Sequence, residues 1–380
     1  MSTTIHGSSR REILALIRRG DITTRRRLCE LTGLSRSVVA QAVSELIAEG
    51  LVAERALVRD AASASRGRPT SVLGPVLHRG WVAAFDFGHT HVGLAIATLD
   101  SAIVFEERLQ LDVDGDAVSA FRAATGLLDA GLERLGLRRS DLGALSIGIP
   151  HPVDKLTGVV RAPAGLASWS GVSPALHLAA GLSCPVLIDN DANLGAWGEY
   201  VRGAGRGLSS VLYIKAADGV GAGLVVDGVV FNGARGVSGE MGHVQVDPDG
   251  ADCRCGRRGC LEAVYSSSAV RARLQNPTVP GERFTVVPED AAVFAEAGRS
   301  IGRVVAQLCN FLDPDVVIFG GPLGLVGEPL LAGVREAFVD YGQVSAVREV
   351  PVHPAALGVR SEIVGAIDRA VQAAWVTAGR

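Results

Sequence analysis

The 380-residue sequence predicts an α/β protein of more than one domain, in which a short α+β helix-turn-helix unit precedes a longer α/β body. Three observations carry this. Apolar residues recur at helical spacing between 9 and 50, apolar strand-like runs end in Asp or Gly from Trp81 onward, and net charge changes sign between the two parts. With 48% hydrophobic and 20% charged residues, the composition excludes a disordered chain. No apolar run approaches the ~18 residues that span a bilayer, and residues 1–7 lack an apolar signal core, so the expected compartment is the cytoplasm.

Residues 1–75 carry a net charge of +5 and the remainder −8. A basic head on an acidic body fits a nucleic-acid module joined to a ligand domain; a chance surplus of surface arginine fits the numbers equally well. Within the head, Ile13, Leu14 and Ile17, then Leu28 and Leu31, then Val38, Val39, Ala42, Val43, Leu46 and Ile47 mark three helices. Gly33 permits the turn after the second, and Ser35 is placed to cap the third. Arg36, Ser37, Ala40, Gln41 and Ser44 then point outward, where a recognition helix meets base edges in the major groove.

Residues 51–58 read as a strand and 68–76 as its antiparallel return, forming a wing whose loop carries Arg66-Gly67-Arg68-Pro69. Arginines on a thin loop suit a narrow minor groove, although the tetrapeptide also fits a solvated linker. The expected DNA-contacting set is Ser35, Arg36, Ser37, Gln41, Arg66 and Arg68, within a domain spanning 1–76. Thr32-Gly-Leu-Ser-Arg-Ser-Val-Val and Glu45-Leu-Ile-Ala-Glu-Gly-Leu-Val resemble the winged helix-turn-helix of bacterial repressors. A helical bundle for protein contacts is the alternative.

Of six cysteines, three crowd between 253 and 260, which points to metal rather than disulfides. Cys29, Cys184 and Cys309 sit singly among apolar neighbours and read as small buried hydrophobes. His243, Cys253, Cys255 and Cys260 make a four-ligand set for structural Zn2+, with Gly256 and Gly259 bending the chain back on itself. Four protein ligands leave no open position, so such a metal braces a loop. Glu240, His243 and Glu262 flank it, and carboxylates accept well from sugar hydroxyls.

Glu240-Met-Gly-His243 followed by Cys253-x-Cys255-Gly-x-x-Gly-Cys260-x-Glu262 resembles the signature of the ROK family of repressors, open reading frames and kinases. The resemblance implies a two-lobed actin-like fold with a sugar in the cleft. It implies a body over 77–380: a first lobe of about 77–190 with a carboxyl-terminal helix at 361–378, and a second of about 191–360. Asp189-Asn190-Asp191-Ala192-Asn193 matches the family's sugar-contacting pair, Asp191 corresponding to the general base of its kinases. The implied sugar pocket is Asn190, Asp191, Glu240, His243 and Glu262, approached by Gly148-Ile149-Pro150, Val153-Asp154 and Trp169. From the residues alone, Val186-Leu-Ile188 reads as a buried strand that puts Asn190 and Asp191 at its carboxyl end, where open α/β sheets bind ligands. An Asx turn capping the next helix explains the same run.

Two Gly-rich turns and a later glycine pair match the family's nucleotide-binding elements in altered form: Asp86, Gly88 and Thr90; Gly219 and Gly221; Gly320 and Gly321. His89 stands where a family glycine would approach phosphate, and His91 where a lysine is usual. Asp218 replaces a hydroxyl donor; its charge about 5 Å from a phosphate repels by ~3 kcal/mol at an effective dielectric near 20. These changes argue against phosphoryl transfer, although Asp191 is kept. The expected function is a sugar-responsive repressor of carbohydrate genes, a homodimer or dimer of dimers on a palindromic operator, with a sugar or sugar phosphate as effector. An ATP-dependent sugar kinase with an attached DNA-binding domain is the alternative.

Overall fold

The structure, a computed structural model, describes residues 10, 12–14, 16, 17, 24–48, 52–56, 71–75, 80–162, 166–275, 283–343 and 345–378. It divides into two compact units, Met1–Arg79 together with Val376–Arg380, and Gly80–Trp375.

In the first unit, residues 10, 12–14, 16 and 17 are helical, with Ile13, Leu14 and Ile17 buried. The helix Arg25–Thr32 begins where Thr24 Oγ1 accepts from Arg27 N at 3.2 Å and ends at Gly33, whose φ of 67° no β-carbon obstructs. Ser35 Oγ accepts from Val38 N at 3.4 Å and caps the helix Arg36–Ala48, which buries Val39, Ala42, Val43 and Leu46 along one stripe. Leu31, expected in the core beside Leu28, is 48% exposed. Three residues advance a helix by about 300°, which turns Leu31 off the buried line. Strands β1 (Val52–Ala56) and β2 (Ser71–Pro75) pair antiparallel, Val52 opposite Pro75 and Ala56 opposite Ser71, within the two segments expected to form the wing.

The second unit holds two five-stranded sheets with the same strand order. The first runs β5-β4-β3-β6-β7, from β3 (Trp81–Phe87), β4 (His91–Thr98), β5 (Ile103–Gln110), β6 (Leu142–Ile149) and β7 (Val186–Asn190). The second runs β10-β9-β8-β11-β12, from β8 (Ser210–Ala216), β9 (Val220–Val226), β10 (Val229–Val230), β11 (Val316–Gly320) and β12 (Val352–Pro354). In each, the first three strands form an antiparallel meander and the last two run parallel to the first. The repeat matters because β3 and β8 each turn straight into a hairpin, at 88–90 and 217–219. Both turns meet at one cleft. β3 is buried from Val82 through Phe87, and β11 throughout, as central strands between packed layers must be. β7, expected to be buried, is half-buried because it is the edge of its sheet.

The helices Asp191–Arg202 and Ser361–Ala378 cross where both lack side chains: a β-carbon on Gly365 would lie 1.9 Å from Leu194 O, and one on Gly198 2.3 Å from Ser361 O. Buried Glu199 secures the crossing, accepting from Ala204, Ala356 and Leu357 amides and from Ser361 Oγ at 2.8–3.1 Å. Cys309 is buried as expected, whereas Cys29 and Cys184 are half-buried. No helix among the described residues is long and apolar enough to cross a membrane. Gly365→Ala is expected to force the helices apart and destabilise the body by about 1–3 kcal/mol, read as a lower urea midpoint by tryptophan fluorescence; an unchanged midpoint would show that the crossing yields freely.

Candidate functional site

The four expected metal ligands converge. His243 Nδ1 lies 3.6 Å from Cys253 Sγ, Cys255 Sγ lies 3.7 Å from Cys260 Sγ, and all four donor atoms lie within 4.8 Å of one another. Ligands about 2.3 Å from a tetrahedral ion stand about 3.8 Å apart, whereas a disulfide needs ~2.05 Å, so the spacing fits a metal and no sulfur–sulfur bond. The loop is built for this: a β-carbon on Gly259, at φ 65°, would lie 1.4 Å from Asp247 O, so only glycine lets Cys260 return to the cluster. The other ring nitrogen of His243, Nε2, faces Glu240 Oε2 at 3.6 Å.

Asn190, Asp191, Glu240, His243 and Glu262 all line one cavity of about 190 Å3 between the two sheets, together with His89, His151, Arg161, Lys215 and Arg254. Asn190 both caps and reaches. Its Oδ1 accepts from Ala192 N at 2.9 Å at the head of the helix Asp191–Arg202, and its Nδ2 donates to His151 O at 3.4 Å. Asp191 is buried, and its Oδ2 meets Lys215 Nζ at 2.5 Å. Burial opposes the ammonium, but Asp191, Glu362 and Asp86 hold Lys215 above the usual lysine range. Glu262 accepts from Val220 N at 2.9 Å and faces Arg254 Nε at 3.0 Å. Burial, with the charges of Asp191 and Glu262, pushes the Glu240 carboxyl up to about 7.

A second, smaller cavity of about 40 Å3 lies against the two turns and is lined by Asp86, Gly88, Thr90, Gly219 and Gly321, but not by Gly320 or Gly221; Gly221 lines the larger cavity. Forty Å3 holds about three waters. Two of the three glycines in its lining are covered by side chains. A β-carbon on Gly88 would meet the His91 ring at 2.1 Å, and one on Gly219 the His89 ring at 2.6 Å. His91 is fixed by Asp86 at 3.0 Å, and Thr90 Oγ1 donates to Asp218 Oδ2 at 3.3 Å, so the two turns bond to each other. The larger cavity holds carboxyl groups and imidazole nitrogens, both of which recognise polyols, while in the smaller one rings lie over Gly88 and Gly219.

Ser35, Arg36, Ser37 and Gln41 are all exposed at the start of the helix Arg36–Ala48; Arg66 and Arg68 lie outside the described residues. Trp169, on the loop expected to approach the cleft, is fully buried, its Nε1 donating to Val113 O at 2.8 Å and its ring packed on Phe87 and Phe121. It supports the cavity wall from behind. The sequence reading missed Lys215, Arg254 and His151. Lys215 had a signal, a lone charge in the apolar strand Val211-Leu-Tyr-Ile-Lys-Ala216. Arg254 and His151 had none, since their partners lie far along the chain.

The pattern of the ROK family matches residues 82–373, and that of winged helix-turn-helix DNA-binding domains matches 8–53. The chain belongs to the ROK family and carries a winged helix-turn-helix at its amino end. It is 25% identical to the xylose repressor of Caldicellulosiruptor bescii over 93% of both chains. Among solved structures, a ROK family transcriptional regulator homologous to the E. coli MLC protein superposes with a TM-score of 0.75 at 21% identity, over 98% of this chain and 99% of that one. A ROK family glucokinase from Streptomyces griseus, bound to glucose and AMPPNP, superposes with a TM-score of 0.66 at 27% identity, over 77% of this chain and all of that one.

Lys215→Met is expected to strand Asp191 as an uncompensated buried charge and cost about 3–5 kcal/mol in denaturant titration. Adding Asp191→Asn should restore most of that loss. Additive effects of the two changes would show that the pair is not coupled.

Proposed function

We propose that the protein is a transcriptional repressor of carbohydrate uptake or metabolism genes, which binds an operator through its winged helix-turn-helix and releases or tightens it when a sugar enters the larger cavity. The observation that carries this reading is the contrast between the two cavities. The one that holds Asn190, Asp191, Glu240, His243 and Glu262 is the roomier, and the turns beside the smaller one carry the rings of His89 and His91 over Gly219 and Gly88 and are joined by the Thr90–Asp218 bond. The named repressor relative aligns with head and body alike, whereas the glucokinase structure covers 77% of this chain.

His243, Cys253, Cys255 and Cys260 would hold one structural Zn2+ that braces the loop beside the sugar, with Glu240, His243 and Glu262 contacting it. Arg36, Ser37 and Gln41 would face base edges, Ser35 the backbone, and Arg66 and Arg68 the minor groove. A sugar can change DNA affinity only by binding the two conformations unequally, and closure of two lobes on a small ligand supplies such a difference. Two-fold-related heads on a homodimer would read a palindrome. The kinase reading has one observation in its favour, Asp191 at a helix start in the sugar cavity. Its Oδ2 is occupied by Lys215.

Three measurements test this. Titration of the full-length protein onto its own upstream DNA with D-xylose, D-glucose and their phosphates is expected to give a salt-dependent affinity that one sugar shifts, with Arg36→Ala weakening binding roughly tenfold; a salt-independent or absent affinity would overturn the repressor reading. In a coupled assay for ADP with the same sugars, turnover at about 1 per second or faster would establish a kinase instead. Elemental analysis should find about one zinc per chain, and Cys255→Ser should lose both metal and sugar response; a metal-free protein that keeps its response would remove the metal's role.

A further inference from the structure

We infer that His151 is a ligand-contacting residue of the larger cavity whose Nε2 is kept for a hydroxyl of an uncharged sugar, an assignment that rests on the reading of that cavity as a sugar site. Gly148-Ile149 closes β6 and Pro150-His151 follows directly, so the ring stands at the carboxyl end of a parallel strand, where open α/β sheets bind ligands. The residue is 3% exposed and lines the cavity beside Asn190, Asp191 and Glu240. Its orientation is imposed. The ring is packed against His89 on one side, with centroids 5.6 Å apart, and against Trp169 on the other, at 5.4 Å, and Trp169 is itself pinned to Val113 O.

Despite this burial, Nε2 has no hydrogen-bond partner in the protein. An unpaired buried nitrogen destabilises the folded chain, and a phenylalanine or leucine would fill the same volume without that cost. A partner arriving with the ligand removes it. Burial, with the neighbouring His89, holds the ring's pKa down at about 3, so the imidazole is neutral and has one donor and one acceptor. A hydroxyl both donates and accepts and therefore satisfies either tautomer. A phosphate is disfavoured by the rest of the lining: the carboxyl groups of Asp191, Glu240 and Glu262 face the cavity, and the cations are already paired, Lys215 with Asp191, Arg254 with Asp114 and Glu262, and Arg161 with Asp154.

Calorimetric titration of full-length wild type, His151→Phe and His151→Gln with D-xylose, D-glucose and D-glucose 6-phosphate, alongside the melting midpoint of each without sugar, tests the assignment. The expected result is a loss of about tenfold or more in affinity for the unphosphorylated sugar in His151→Phe, at an equal or higher midpoint, with partial recovery in His151→Gln. Affinity within twofold of wild type in His151→Phe would reduce the ring to packing, as would a loss that simply follows a fallen midpoint. Tighter binding of the 6-phosphate than of the sugar would overturn the uncharged ligand. Absence of any sugar binding by wild type would instead sink the sugar reading itself.

Discussion

Between Cys253 and Cys255, a single guanidinium leaves the metal loop and crosses the cleft. Arg254 Nη1 reaches Asp114 Oδ2 at 2.6 Å on the far side, its Nε faces Glu262 at 3.0 Å, and its Nη2 donates to Asp218 O at 3.1 Å. Asp114 follows β5 in the half built on the first sheet, while Glu262 and Asp218 belong to the half built on the second. Five N–H groups in one rigid plane make this possible, and a lysine could not replace it. Because residues 253 and 255 are both cluster thiols, the geometry that gathers the cluster also fixes where Arg254 starts. Cluster, cavity and interlobe contact therefore share one short loop, and a ligand that claims Glu262 must share it with this guanidinium.

The same economy explains the filled nucleotide side. Three substitutions that look independent in the sequence, His89, His91 and Asp218, act on one structure. His91 covers Gly88 and leans on Asp86; His89 covers Gly219 and contacts Asp114 at 2.8 Å; Asp218 accepts from Thr90. An incoming triphosphate would have to break each of these contacts and then meet Asp86, Asp218 and Glu362 around the opening. Lys215, which lines both cavities, offers little attraction in return, since three carboxylates already hold its proton.

How much of this could be read from the sequence depended on the separation of partners. The helix-turn-helix was legible because Ser35, Gly33 and the stripe Val39, Ala42, Val43 and Leu46 act within one or two turns of helix. The His–Cys cluster was legible because Cys253, Cys255 and Cys260 lie within eight residues, with glycines between them that let the chain turn back. His91 with Asp86, five residues apart, was already beyond reach, because the contact depends on the hairpin that folds one over the other. Asp191 with Lys215, and Arg254 with Asp114, join different strands and lobes, so no periodicity announces them. Nor does the sequence say which way the Trp169 ring turns: its loop approaches the cleft, and the ring turns inward to Val113 and the Phe87–Phe121 cluster.

A ligand can switch such a molecule only if its binding energy differs between two conformations. Moving an equilibrium from 1:99 to 99:1 takes about 5.5 kcal/mol. Of the residues lining the larger cavity, His151 has a buried Nε2 without a hydrogen-bond partner, whereas Glu262 Oε1 is engaged by Arg254 at 3.0 Å. At about 1–3 kcal/mol for a buried polar atom left unsatisfied, a partner for Nε2 would supply part of that difference. Apolar burial of a small polyol is slight, so the rest would have to come from hydrogen bonds that only one of the two conformations completes. A ligand that pairs with Nε2 would therefore favour whichever conformation brings the two together.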